Sequence, residues 1–273
     1  MSDTIPQSVS NGCRKYVKSR IIINTFNTFN NVIEINHLNK YYGRLHVLHD
    51  INLKLSPGQC VAFVGPNGCG KTTLMKCILG LATPQSGEVL VDGKNVALHP
   101  ETREHIGFMP QSSCFPENMT VSQTFKTIES MRRSHGATDR ELYDAFGMDD
   151  IADKRSHTLS GGTSQKMNAA LAFLFNPDIL ILDEPTASLD PLAAETLKNK
   201  ISKEKDKLIF ITSHILSELE GLATHIVFMQ QGHIVFFKSI EKLLSETRQE
   251  NITQAVMFHL RHTKQELNDG QNH

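Results

Sequence analysis

Gly65-Pro66-Asn67-Gly68-Cys69-Gly70-Lys71-Thr72-Thr73 fits the pattern G-x-x-x-x-G-K-[ST] and decides the reading of the chain. Glycines let the backbone wrap until successive N–H groups point inward as an anion-binding nest. A helix starting at such a loop aims its positive dipole end at the same spot. Lys71 has the reach for the β- and γ-phosphates, and the Thr72 hydroxyl is placed to hold Mg²⁺. The flanks supply the structural context that a bare pattern lacks. Cys60-Val61-Ala62-Phe63-Val64 is a short apolar run that predicts a buried strand, and Leu74 to Leu79 continues with helical spacing. Together these features imply that residues 65 to 73 bind a nucleoside triphosphate.

Working outward, Val32 to His37 and Ile51 to Leu55 alternate apolar and polar residues, as half-buried strands do, and Ser56-Pro57-Gly58 follows as a turn. Further strands are predicted at Gly87 to Val91, Ile106 to Pro110, Ile179 to Leu182, Leu208 to Thr212, Ile226 to Met229 and Ile234 to Phe237. Helices over Pro191 to Lys205 and Ile215 to Leu222 give the strand–helix alternation of a largely parallel sheet. Residues 118 to 155 are charged and helical in pattern, which predicts an inserted α-helical subdomain. Residues 1 to 31 are polar and Asn-rich and predict a loosely ordered extension. From about Ile240 the chain is polar again, with one helical stretch expected in the tail.

The second strong signal is Ile179-Leu180-Ile181-Leu182-Asp183-Glu184-Pro185. Its carboxylates emerge at the C-terminal end of a buried strand, where open α/β sheets place ligands. Asp183 is the expected Mg²⁺ partner of Thr72, and Glu184 is placed to polarise a water against the γ-phosphate. On a regular strand, adjacent side chains point to opposite faces, which predicts divided roles for the pair. The third signal is Leu159-Ser160-Gly161-Gly162-Thr163 before an apolar stretch, with Ser160 as N-cap and two glycines leaving backbone N–H groups open. It predicts a second helix terminus able to take phosphate.

The chain carries a formal net charge of −1, with none of the basic excess that nucleic-acid binding requires, so no nucleic-acid partner is expected. No segment approaches the roughly 18 consecutive apolar residues of a membrane span, and the first residues lack the pattern of a signal peptide. The five cysteines lack metal-type spacing, and Cys60 and Cys77 sit in apolar runs. Their pattern fits a reducing compartment. Cys69 lies inside the phosphate loop, so its alkylation is expected to block nucleotide binding.

The ordered set of Gly65–Thr73, Gln111, Leu159–Thr163, Asp183–Glu184, Ser188-Leu189-Asp190 and His214 resembles that of ABC-type ATPases, the nucleotide-binding subunits of ABC transporters. The resemblance spans about residues 33 to 238. It implies an α/β fold: a P-loop NTPase core with a mostly parallel sheet, an N-terminal antiparallel β subdomain and an inserted helical subdomain at about 112–158. The ATPase domain is then 32–239, between the extension at 1–31 and a short tail at 240–273.

By the same resemblance, ATP and Mg²⁺ are the ligands. Gly65, Pro66, Asn67, Gly68, Cys69, Gly70, Lys71, Thr72 and Thr73 would cradle the phosphates, and Thr72, Gln111 and Asp183 would hold the metal. Glu184, His214, Lys71 and Gln111 would form the catalytic set. Tyr42, or its neighbour Tyr41, would stack on adenine. Ser160, Gly161 and Gly162 would meet the γ-phosphate held by a second copy or a related ATPase subunit, and Asp190 would bridge the two. Separate membrane permease subunits would dock near the Gln111 loop, placing the protein on the inner face of the membrane.

Thr163 stands where family members usually carry Gln, and Ser188 replaces the common Gly; neither removes a group that contacts phosphate, so activity is expected to survive. The wording Thr163-Ser164-Gln165-Lys166 resembles that of copper-processing ATPases found beside nitrous-oxide reductase genes. The competing class is a soluble single-cassette ATPase in an assembly or scaffold role. A small P-loop kinase would need neither Ser160-Gly161-Gly162 nor Asp183-Glu184-Pro185.

Overall fold

A computed structural model describes residues 32–113, 115–132, 138–213 and 215–269, with side chains as far as Arg261. The expectations placed on residues 1–31 and on His214 lie outside the described residues. The chain opens with a hairpin of Ile33–Tyr42 (β1) and Leu45–Leu55 (β2). Cys60–Val64 (β3) and Lys71–Ile78 (α1) bracket the phosphate loop. Ser86–Val91 (β4) and Lys94–Asn95 (β5) return to the hairpin and complete an antiparallel sheet in the order β2-β1-β4-β5.

Ile106–Met109 (β6) then leads into the inserted helices Val121–Met131 (α2) and Glu141–Ala145 (α3). Gly161–Phe173 (α4), Ile179–Asp183 (β7), Pro191–Lys203 (α5) and Leu208–Thr212 (β8) follow. His225–Gln230 (β9) and His233–Ser239 (β10) complete the second sheet, and Ile240–Thr247 (α6) and Ile252–Asp269 (α7) end the described chain. The second sheet runs β10-β9-β3-β8-β7-β6, parallel except for the edge strand β10.

The apolar runs read as strands lack alternation because both of their faces are buried. Ala62 and Val64, Leu180 and Leu182, and Ile209 and Ile211 join one hydrophobic cluster with α4 and α5. The intervening Val61, Phe63, Ile179, Ile181, Leu208 and Phe210 join another, with α1 and the antiparallel sheet. In the second cluster Phe63 and Phe210 stack at 3.5 Å between ring centres. Each such side chain contributes about 2 kcal/mol on burial, so neither face tolerates a polar residue unless it is partnered.

The inserted region is less regular than its composition predicts. α2 starts with a capping box between Thr120 and Gln123, but among the described residues beyond it only α3 and short 3₁₀ turns form, with Gly147 in left-handed backbone (φ 61°). The helix expected over Ile215 to Leu222 is a single 3₁₀ turn, Leu216–Leu219. The Ser213 hydroxyl bonds the backbone of Ile215 at its start, and Gly221 (φ 76°) follows it, which leaves too few residues for a stable α-helix. The tail carries two helices rather than one. Leu243 of α6 and Ile252, Ala255 and Val256 of α7 are buried in the cluster that contains Phe228 and Phe236.

Candidate active site

The phosphate loop is held by contacts that only glycine permits. A side chain at Gly65 (φ 155°) would run into the Met229 carbonyl and the Cys69 sulfur, and one at Gly70 (φ 108°) would strike Leu48. The Gly232 N–H donates to the Cys69 carbonyl at 3.1 Å, tying the loop to the turn between β9 and β10. Gly70 caps α1 without any side-chain bond, and the first turn of α1 carries no acidic residue. The positive end of that helix therefore faces the loop uncompensated.

Lys71 is 8% exposed and donates to the carbonyls of Gly65 (2.7 Å) and Pro66 (3.3 Å), so its ammonium lies inside the loop. Cys69 contributes backbone only. Its thiol is buried in the core, 3.7 Å from Lys71 Nζ, so alkylation requires the loop to open. Cys60 and Cys77 are buried small hydrophobes whose thiols burial pushes up to about 12 and about 11.

Across the loop, β7 delivers Asp183, which is 6% exposed. The Thr212 hydroxyl donates to Asp183 Oδ1 at 2.7 Å and accepts the Glu184 N–H at 2.9 Å. Glu184 has left-handed backbone (φ 50°), and its carbonyl accepts the Ala187 N–H at 3.0 Å and Gln165 Nε2 at 3.4 Å. This twist ends the strand alternation, so the expectation that the two carboxylates part to opposite faces is corrected: both line one cleft. Gln111, two residues beyond the end of β6, donates from Nε2 to Glu184 Oε2 at 3.0 Å.

The resulting cleft has a volume of about 470 Å³, between Leu45 and Val47 of β2, the loop from Asn67 to Thr73, Gln111, Asp183 and Glu184. It brings together most of the residues that the motifs singled out. The side-chain oxygens on its wall that could meet a cation include the Thr72 hydroxyl, the Gln111 amide oxygen and the Asp183 carboxylate, with Glu184 beside them. That hard and incomplete set suits Mg²⁺ arriving with a triphosphate. No group of three or more His, Cys, Asp or Glu arranged for a metal occurs among the described residues.

The start of α4 and Asp190 lie apart from the cleft. Ser160, Gly161 and Gly162 start α4 and do not line the cleft. The Ser160 hydroxyl accepts the Thr163 N–H at 3.2 Å and shares a 2.9 Å bond with the Thr163 hydroxyl, so the threonine at this position secures the cap. Asp190 N-caps α5 through Ala193 N–H (2.9 Å) and pairs with Lys166 of α4 at 2.7 Å. Those contacts, Lys166 foremost, hold its carboxyl below the usual range. Ser188 sits at φ 65°, a region glycine favours, and so carries about 1 kcal/mol of strain.

Of the two tyrosines, Tyr42 stands directly across the hairpin from Leu45, which lines the cleft. Tyr41 pairs with His46 and stacks on its ring at 3.9 Å.

The pattern for ABC transporters matches residues 48–187, more than half of the chain. The chain belongs to the ABC transporter family. It is 31% identical to the lantibiotic transport ATP-binding protein SrtF of Streptococcus pyogenes, covering 84% of this chain and all of that protein. It is also 31% identical to the phosphate import ATP-binding protein PstB 1 of Vibrio parahaemolyticus, over 78% and 85% of the two chains. A solved ATP-binding subunit of an ABC transporter superposes with a TM-score of 0.77 at 26% identity, over 83% of this chain and 98% of the other. The dimeric cassette MJ0796 shares the fold, with a TM-score of 0.67 at 23% identity over 76% and 98%.

This ABC protein is thus an ATP-binding subunit whose hydrolysis of ATP energises transport. Among its described residues no helix is long and apolar enough to cross a membrane.

Motif reading missed Thr212, Gln165 and Asn168. A hydroxyl at the end of an otherwise apolar run and amides on the inward face of α4 are the signals that mark them, since buried polar groups need partners.

Proposed function

We propose that the cleft is one half of an ATPase site that a second cassette completes. Lys71 and the loop amides take the β- and γ-phosphates, and Thr72, Gln111 and Asp183 would hold Mg²⁺. That ion, when bound, would supply neutralisation of phosphate charge. Gln111 fixes one oxygen of Glu184, and the other accepts the proton of a water attacking the γ-phosphate in line. Thr212 orients both carboxylate residues at once. Tyr42 stacks on adenine, because its cross-strand neighbour Leu45 lines the cleft while Tyr41 is occupied by His46.

The observation that carries this reading is the bond between Gln111 and Glu184 inside a cleft that Ser160 to Gly162 do not reach. The exposed start of α4 then closes over the nucleotide of the neighbouring subunit, with Asp190 near the junction. The names of the relatives, ATP-binding proteins of transport systems, support partnership with separate permease subunits and a place at the membrane through them. Those relatives serve different solutes, so no single solute is assigned.

The test mixes two inactive variants. Lys71→Ala should lose nucleotide binding, and Ser160→Arg should bind ATP without hydrolysing it. A mixture should regain ATPase activity, because each heterodimer holds one intact shared site. Absence of recovery from two folded variants would overturn the shared-site reading.

A further inference from the structure

We propose that Gln165 and Asn168 form a bridge on α4 that couples the catalytic groups of one site to Ser160, Gly161 and Gly162 serving the other. This rests on the shared-site reading above and assigns it a route. Both side chains are only 3% exposed and lie three residues apart on the inward face of α4. Asn168 Nδ2 donates to Ser113 Oγ at 2.8 Å and to Gln165 Oε1 at 3.1 Å, with the Pro110 carbonyl at 3.5 Å. Gln165 Nε2 reaches the Glu184 carbonyl at 3.4 Å, and Gln111, between Pro110 and Ser113, bonds the Glu184 carboxylate at 3.0 Å.

The bonds close a ring: Gln111 loop, Glu184 carboxylate, Glu184 carbonyl, Gln165, Asn168 and back to the Gln111 loop. Neither amide serves fold packing alone, since apolar residues would fill the same space without needing partners. A displacement of Gln111 or Glu184 on contact with the γ-phosphate therefore pulls on α4.

Backbone packing makes α4 answer as a rigid body. At one end a side chain at Gly107 of β6 would overlap the Ala172 carbonyl, so strand and helix meet backbone to backbone. At the other, a Cβ at Gly162 would lie 2.7 Å from the Ser188 carbonyl, and Lys166 pairs with Asp190. Ser160 lies about 12 Å along the helix from Asn168, at 1.5 Å per residue. The placement of Gln111 and Glu184 in one cleft thus sets the position of Ser160 at the other, whether or not that cleft holds nucleotide, and Gln165 and Asn168 act as positioning residues.

The experiment adds Asn168→Ala to either member of the complementing pair. Placed on the Ser160→Arg chain, it sits in the subunit whose own cleft is the working one. Placed on the Lys71→Ala chain, it sits in the subunit that only lends its α4. Coupling predicts a loss of activity on the order of tenfold in both arrangements, in kcat rather than KM, with ATP affinity kept. Ser113→Ala, which removes the loop end of the bridge without touching the helix, should give a smaller loss in both and serves if Asn168→Ala fails to fold.

Loss only when the working cleft carries the change would reduce the bridge to a local support and overturn the coupling. Unchanged rates in both arrangements of folded protein would overturn it outright. Failure of the unmodified pair to complement would instead overturn the shared-site reading, and the coupling with it.

Discussion

Two helices of this molecule begin at glycines whose motifs point to phosphate, and they differ in what surrounds them. α1 starts inside the cleft, with Gly65 and Gly70 fixed by steric contacts within the chain and Lys71, Asp183, Glu184 and Gln111 gathered around it. α4 starts at the surface with Ser160 and Gly161 exposed, and a Cβ at Gly161 would meet nothing within 4 Å. Gly65 is explained by its own chain; Gly161 is not. The difference teaches that a glycine with no reason inside the subunit points to a surface approached from outside it.

The largest expected effect tests the α1 side. Glu184→Gln should lower turnover on the order of 10²- to 10³-fold while ATP binding persists and a dimer accumulates, read by ATPase assay and size-exclusion chromatography. Brisk turnover in that variant would move the base to another residue.

The next pair probes α4 directly. Gly162→Ala should destabilise the fold by about 1–3 kcal/mol in denaturant titration, since its Cβ would press on the Ser188 carbonyl. Gly161→Ala should leave stability equal or raised by up to about 1 kcal/mol. If a second copy's nucleotide packs there, hydrolysis should still fall on the order of tenfold. Full activity in a stable Gly161→Ala protein would break the comparison.

A third test separates neighbours on the hairpin. Tyr42→Ala should weaken ATP binding by about 1–2 kcal/mol, the scale of stacking on a base, while Tyr41→Ala should leave it unchanged. The opposite pattern would exchange their roles.

The smallest effect concerns the link between α4 and the loop after β7. Lys166→Met should raise the Asp190 carboxyl toward its ordinary value, followed by NMR titration. The folded pKa is lowered, so what this carboxylate adds to stability is present above the unfolded value, about 3.9, and is lost as pH falls through the lowered one. At neutral pH the unfolding midpoint should barely move, because the pair is solvent-exposed. An unchanged titration would show that Lys166 does not govern Asp190.

How much was legible follows from the range of each interaction. The phosphate loop, the Asp183 strand and the start of α4 are local patterns, in which spacing alone places backbone dipoles and side chains. Thr212 was not legible, because its bonds join the ends of strands 29 residues apart in sequence. Nor was the handedness of Glu184, which overrides strand alternation through bonds from Thr212, Ala187 and Gln165. The 3₁₀ turn at Leu216–Leu219 escaped for the opposite reason: a helical pattern there is cut short by the Ser213 hydroxyl and Gly221. The tail misled through composition, because only some of its apolar residues, among them Leu243, Ile252, Ala255 and Val256, are buried against the domain, while Met257 and Phe258 stay exposed.

The sequence by itself determined that a triphosphate-binding loop, a carboxylate strand and a second glycine-started helix occur in this order on a mostly parallel sheet. Short-range steric and dipolar rules are written into residue spacing. Only the tertiary structure decided that the loop and the carboxylates share a cleft, that Gln111 holds Glu184, and that the start of α4 lies outside that cleft while Gln165 reaches the Glu184 carbonyl. Those outcomes depend on which strands neighbour one another in the sheet, and packing over the whole domain chooses that.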